Sequence, residues 1–426
     1  MTPILTLLFL VLMFLGMPVA FAIGISSIVF YLFGGMIPPT IAVQKIVSAT
    51  QSFPLLAVPL FVFAGHLMNE AGITSRLISL ATVLTGWIRG GLAQVAIMLS
   101  ALMGGVSGSA VADAAMEARI LGPAMLARGY TRGYACATIA VGSLITATIP
   151  PSIGLILYGF LGNVSIGRLF VGGIVPGILM TIFLMATAWL IARKRGYQAE
   201  LAAPPTFAEV MRNVWASIWA LLFPVILVVG IRYGIFTPSE AGAFAVAYAV
   251  VIGTLVYREL TWAKLNEALG HSVVDTGMIM LIIMFSAMIG YVITLEGVPQ
   301  NATNAIAAIT TDKYATMLLL TLFITVLGMF LESTVITLLM TPILVPIITR
   351  LGIDPIHFGL IMMTTTTLGS MTPPVGVAMY TVCGMLDCPM DEYAREALPL
   401  IGAVLVLVVL MILVPEIVLW LPNLLF

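Results

Sequence analysis

Two Pro-Pro pairs, each inside an otherwise apolar stretch, constrain this chain more than any other feature. Pro150-Pro151 and Pro373-Pro374 stand 223 residues apart. The same offset lays Ile120-Leu121 on Ile343-Leu344, Pro123 on Pro346, Gly129 on Gly352 and Pro176 on Pro399, without a gap. A proline deletes one backbone donor and interrupts a helix, and lipid offers nothing to the backbone groups so released. A duplicated interruption in an apolar chain therefore predicts a pair of broken helices around a polar site near the middle of a membrane. That is the arrangement of a secondary transporter.

Composition shows that the surrounding solvent is lipid. Of 426 residues, 61% are hydrophobic and 8% charged, with a mean hydropathy of +1.16; soluble domains carry about a quarter charged residues. At about 20 residues per crossing, the apolar stretches allow roughly ten to twelve spans. A net charge of −1 removes the electrostatic basis for binding nucleic acid. Cys136, Cys383 and Cys388 form no CxxC pair and lie in apolar or near-apolar surroundings, so they read as packed thiols, with disulfide or metal use as the alternative. Residues 4–35 lack a basic n-region and are too long for an h-region, so they read as a mature membrane segment bent at Pro18.

The chain divides into a first repeat, 1–192, a polar cytoplasmic linker, 193–213, and a second repeat, 214–426. Spans are expected at 53–68, 133–161, 169–192, 214–229, 242–257 and 273–295, then at 315–330, 358–385 and 398–421. Segments 92–125 and 331–348 each place a small or polar cluster between two half-length apolar pieces, the pattern of a re-entrant hairpin. In Thr237-Pro238-Ser239-Glu240 the threonine caps, the proline takes the first helical position and Glu240 closes a capping box, a structural role. Arg119, Arg128, Arg132 and Arg193-Lys194-Arg195 mark a cytoplasmic face. Their counterparts in the second copy are far less basic, so the copies are expected to face opposite ways, with the C-terminus outside. The fold class is an all-α polytopic membrane protein: an inverted repeat with two re-entrant hairpins and two Pro-Pro-broken helices.

The first hairpin tip reads Gly104-Gly105-Val106-Ser107-Gly108-Ser109-Ala110-Val111-Ala112-Asp113. A turn of small residues exposes carbonyls and hydroxyls together, the oxygen donors that a hard monovalent cation takes from broken helices. Close helix packing is the plainer use of such residues. The offset lays Ser109 on Glu332 in Leu331-Glu332-Ser333-Thr334, and a carboxylate at membrane depth is functional by default. Asp113 is the weaker candidate, since it could point to Arg119 or to water. Thr146 and Thr148 precede the first break, and Thr364, Thr365, Thr366, Thr367, Gly369 and Thr372 the second; both sets are suited to Na⁺. After each Pro-Pro a new half-helix begins, with Ser152 at the first start, and its free N–H groups suit an organic carboxylate. His66, His271 and His357 make no metal-binding spacing.

The motifs Ser107-Gly-Ser-Ala-Val-Ala-Asp113, Gly122-Pro-Ala-Met125, Arg128-Gly-Tyr130 and Ile149-Pro-Pro-Ser152 resemble the large membrane subunit, DctM type, of tripartite ATP-independent periplasmic (TRAP) transporters. So do Gly234-Ile-Phe-Thr-Pro-Ser-Glu240, Gly328-Met-Phe-Leu-Glu332, Gly352-Ile-Asp-Pro-Ile-His-Phe358 and Thr372-Pro-Pro-Val-Gly376. The resemblance implies an elevator-type, Na⁺-driven importer of organic acids in the bacterial inner membrane. It also implies two partners, a small four-helix membrane subunit and a periplasmic substrate-binding protein. One Na⁺ site would use Ser107, Gly108 and Ser109 with Thr146, Ile149 and Pro150. The other would use Glu332, Ser333 and Thr334 with Gly369, Thr372 and Pro373, and substrate would touch Ser107, Ser152 and Glu332. Two departures bear on the substrate class: the family commonly has Asp at the position of Glu332, and Asn is frequent in the second broken helix where this chain has its four threonines.

Two rival readings remain. Gly105-Val106-Ser107-Gly108 matches the GxSG of intramembrane serine proteases, with His66 or His271 as the base it would need. A single-component ion–anion symporter of similar design differs in needing no binding protein.

Overall fold

The computed structural model describes residues 2–33, 37–310 and 312–426, and these are helical with no strand. Gly34 and Gly35, the end of the first predicted membrane segment, lie outside the described residues. The rest of that segment forms Thr2–Phe14 and Val19–Phe33, divided just before Pro18, where Gly16 turns at φ 83°.

The 223-residue offset reappears in the elements. Gly91–Gly104 matches Lys313–Gly328, and Ala110–Ile120 matches the start of Ser333–Arg350. Arg132–Gly142 matches Pro355–Gly369, Ile153–Gly162 matches Val377–Leu386, and Ile166–Arg195 matches Met390–Leu413. Both broken helices form where the prolines predict: the first bends by 44° between Thr148 and Ile153, the second is interrupted between Gly369 and Val377. Both Pro-Pro bonds are cis.

Packing between the copies is reciprocal. The second arm of the first hairpin, Ala110–Ile120, lies on the half-helix Val377–Leu386, while Ser333–Arg350 of the second hairpin lies on the half-helix Ile153–Gly162. The second arm of each hairpin thus packs on the broken helix of the other copy, and a continuous apolar core joins them. The long helix Trp262–Leu295 packs along Ala57–Glu70, Val19–Phe33 and Pro39–Thr50, and it meets the hairpin body through Ser333–Arg350.

Three expectations change. Among the described residues five helices are long and apolar enough to cross a membrane, or seven if two bent pairs each count as one span, fewer than apolar length alone suggests. Turns cut several stretches: 53–68 becomes a 3₁₀ turn, Phe53–Leu56, and Ala57–Glu70, and 398–421 divides before Glu416–Leu425. Segment 331–348 is not a hairpin by itself. Ser333–Arg350 is one helix that carries Pro342 and Pro346 inside it, because each proline removes a single donor and packed neighbours sustain the remainder. The hairpin is completed by Lys313–Gly328, which the sequence reads as a simple span. Finally, the linker end contains the helix Phe207–Ala216, opened by a capping box of Thr206 and Glu209. Its Phe207 and Trp215 are exposed.

Candidate functional site

Three helix starts converge on one cleft of about 80 Å³. The first hairpin contributes Gly108, Ser109, Ala110 and Val111; the first broken helix contributes Ala147, Ser152, Ile153 and Gly154. Opposite stand Glu332, Ser333 and Thr334 of the second hairpin, with Met363 and Ile279 completing the wall. Ser109, Ser152 and Glu332 are the N-caps of their helices, accepting from the Ala112, Leu155 and Thr334 N–H groups respectively. The positive ends of three helices therefore face one volume. No lysine or arginine lines it among the described residues, so an anion here would be held by backbone N–H groups and by whatever cations accompany it.

The first hairpin tip is seated on the first break. Gly108 has φ 65°, and a Cβ there would collide with the Pro151 carbonyl. The Ser107 hydroxyl accepts from the Ser109 N–H at 3.4 Å, and the Thr146 hydroxyl donates to the Ser100 carbonyl at 3.0 Å. Behind the tip lies a pair of buried acids one helical turn apart. Asp113 and Glu117 are both 0% exposed. Ser107 and Thr146 face Asp113, but neither of its carboxylate oxygens has a hydrogen-bond partner in bonding geometry. Glu117 accepts from the Ser100 hydroxyl at 2.8 Å, and its other oxygen is unpartnered. Sequence reasoning offered Arg119 or water to Asp113; the structure buries the carboxyl and leaves Arg119 exposed. Glu117 carried no signal beyond its spacing from Asp113, because a one-turn interval does not say which face is buried.

The second tip sits on the second break through backbone. The Gly376 N–H donates to the Met329 carbonyl at 2.9 Å, and Gly328 and Gly369 approach so closely that a Cβ on either would strike the other's backbone. Glu332 accepts from the Ser333 hydroxyl at 3.0 Å, the Thr334 N–H at 2.9 Å and the Thr334 hydroxyl at 2.9 Å; among the described residues no arginine pairs with it. Gly369, Thr372 and Pro373 lie outside the cleft lining, as does Ser107. The threonines before the break do not carry free hydroxyl protons: Thr364, Thr365, Thr366, Thr367 and Thr372 all donate to carbonyls three or four residues back. Their lone pairs remain, and lone pairs are what a cation takes. Gly369→Ala is expected to cost about 1–3 kcal/mol through overpacking. An unchanged melting temperature of the variant in detergent would contradict the Gly328–Gly369 approach.

The histidine required by a protease reading is engaged elsewhere. His66 Nε2 meets Asp275 Oδ2 at 2.8 Å and its ring lies 5.8 Å from that of His271; neither histidine hydrogen-bonds Ser107 among the described residues.

Residues 6–417 match the family described as Tripartite ATP-independent periplasmic transporter, DctM component. The isethionate TRAP transporter permease protein DctMQ of Oleidesulfovibrio alaskensis is 34% identical over 97% of this chain, and the chain spans 65% of that protein's length. The sialic acid TRAP transporter large permease protein SiaM of Vibrio cholerae is 37% identical over 97% of this chain and 96% of its own. The solved YdaH transporter of Alcanivorax borkumensis shares the fold at a TM-score of 0.63, covering 86% of each chain at 13% identity. Such identity speaks to fold alone. With the broken helices, the hairpins and the match along nearly its whole length, the chain belongs to the DctM family, as an integral membrane large permease subunit of the TRAP type.

Proposed function

We propose that this subunit imports an organic acid, driven by Na⁺, across the bacterial inner membrane, receiving it from a periplasmic substrate-binding protein and working beside a small four-helix membrane subunit. The observation that carries the reading is the convergence of three helix N-termini and Glu332 on one cleft, with oxygen-rich turns beside it. The substrate carboxylate meets the helix starts at Ser109 and Ser152. Glu332 faces the same volume as an acceptor, suited to a hydroxyl or amine of the substrate and to a cation. One Na⁺ takes oxygens from Ser107, Gly108, Ser109, Thr146, Ile149 and Pro150, with the Asp113 and Glu117 carboxyls buried behind the tip. A second takes them from Glu332, Ser333, Thr334, Gly369, Thr372 and Pro373.

Coupling then needs only order. Cations that tie each tip to its break fix the helix starts that hold the anion, so the loaded state is the one preorganised to move. The hairpins and broken helices form the moving body, and the long helices around Trp262–Leu295 form the scaffold of an elevator. Residues 1–192 and 214–426 are the two inverted repeats, with 193–213 crossing between them on the cytoplasmic side. More Na⁺ than anion charge carries positive charge inward, which gains about 2.3 kcal/mol per charge per 100 mV. The chemistry is translocation, and no residue of the cleft acts as a catalyst.

Ser109→Ala and Thr372→Ala are expected to raise the Na⁺ concentration needed for half-maximal uptake severalfold, while leaving the folded chain intact. Losing the Ser109 cap costs only about 1 kcal/mol. An unchanged Na⁺ dependence in both variants would remove the cation assignment.

A further inference from the structure

We propose that Cys136, Cys383 and Cys388 form a three-thiolate site for a soft monovalent metal ion, copper(I), between the two repeats. Their sulfurs all lie within 4.8 Å of one another. The residues are 0%, 1% and 7% exposed, and none is in a disulfide. With metal–thiolate bonds of about 2.3 Å, a planar trigonal site sets its sulfurs about 4 Å apart, so the ion enters with little rearrangement. Cys136 comes from the first half of the first broken helix, Arg132–Gly142; Cys383 comes from the last turn of Val377–Leu386 and Cys388 from the turn that follows it. The Cys388 N–H bonds the Cys383 carbonyl at 3.0 Å, which holds these two sulfurs on one turn.

Packing alone does not require sulfur here. The 223-residue offset lays Cys136 on Gly359, and at that place the Tyr158 ring fills the space over the glycine. One interface between the copies is thus closed by an aromatic ring and its counterpart by three thiols. The thiols have only weak partners: Cys136 Sγ lies 4.0 Å from the Val382 carbonyl and Cys388 Sγ 3.4 Å from that of Pro389. No histidine or carboxylate completes the cluster among the described residues. A structural zinc ion takes four ligands, whereas three soft sulfurs favour copper(I).

The ion itself must supply the charge that turns these buried thiols into thiolates. Cys136 lies in the second turn of Arg132–Gly142 and Cys383 in the last turn of Val377–Leu386. Arg132 donates to the Asp387 carbonyl at 2.9 Å, beside Cys388. Each thiol that coordinates releases its proton to water. This end of the body also carries Arg128 and the Arg195–Glu396 pair at 2.7 Å, the basic side read as cytoplasmic, where thiols stay reduced. A bound ion ties a helix of the first repeat to a helix of the second and stabilises the folded body by mass action. The site is independent of the transported substrate.

The test is titration of the purified, reduced protein with copper(I) against a colorimetric copper(I) chelator, followed by X-ray absorption at the copper edge and thermal melting. The expected result is one ion per chain, a sulfur-only shell at about 2.3 Å and a raised melting temperature. Cys136→Ser and Cys388→Ser should each weaken binding at least tenfold; the second lies at the edge of the cluster, so it reports even if the first misfolds. Binding weaker than the chelator, a nitrogen or oxygen shell, or undiminished binding by Cys388→Ser would overturn the site.

Discussion

Gly108→Ala is expected to abolish uptake while leaving the chain folded. The residue stands at φ 65°, and the added methyl would meet the Pro151 carbonyl, backbone that cannot rotate away. The left-handed conformation costs a side chain about 1–2 kcal/mol, and forcing a methyl into packed surroundings costs about 1–3 kcal/mol more. A penalty of a few kcal/mol lowers the population of the seated tip about a hundredfold. The loss falls on the tip because Gly108 lies in the turn between Gly91–Gly104 and Ala110–Ile120, not within a span. Gly129→Ala is the control: its φ is 81°, but nothing lies within 4 Å of its Cβ position, so it bears only the conformational cost and transports. Equal uptake by the two variants would contradict the contact between tip and break.

Glu332→Gln is expected to lower uptake at least a hundredfold, with melting temperature nearly unchanged. The amide preserves the size of the side chain and one acceptor oxygen, so the bonds from Thr334 survive in part; the negative charge does not. If Glu332 only capped Ser333–Arg350, its replacement would cost about 1 kcal/mol of stability and leave transport intact. If it serves the cation and substrate of the second tip, charge is what matters, and Glu332→Asp should retain more activity than Glu332→Gln. Wild-type Na⁺ dependence in Glu332→Gln would reduce the residue to a helix cap.

Much of this site is legible in the sequence because prolines and small residues carry backbone information. The two breaks, the Ser107-Gly108-Ser109 turn and the carboxylate at the matching turn are all local features, and the offset ties them together. The limits are equally physical. Pro342 and Pro346 look like breakers, yet both sit inside Ser333–Arg350, since packing decides whether one missing donor ends a helix. The hydroxyl run from Thr364 to Thr367 reads as oxygens suited to Na⁺, but all four lie inside the helix Pro355–Gly369, where carbonyls accept their protons and only lone pairs remain. The depth of Asp113 and Glu117, the meeting of three capped helix starts and the clustering of Cys136 with Cys383 and Cys388 depend on contacts between the repeats, which no single stretch of chain displays.

The central claim is tested most directly by uptake into proteoliposomes that contain this subunit with its small membrane partner. The periplasmic binding protein is added outside, loaded with its labelled organic acid. Accumulation that requires both the binding protein and an inward Na⁺ gradient is the result expected here. Accumulation that proceeds without a Na⁺ gradient, or without the binding protein, would contradict it.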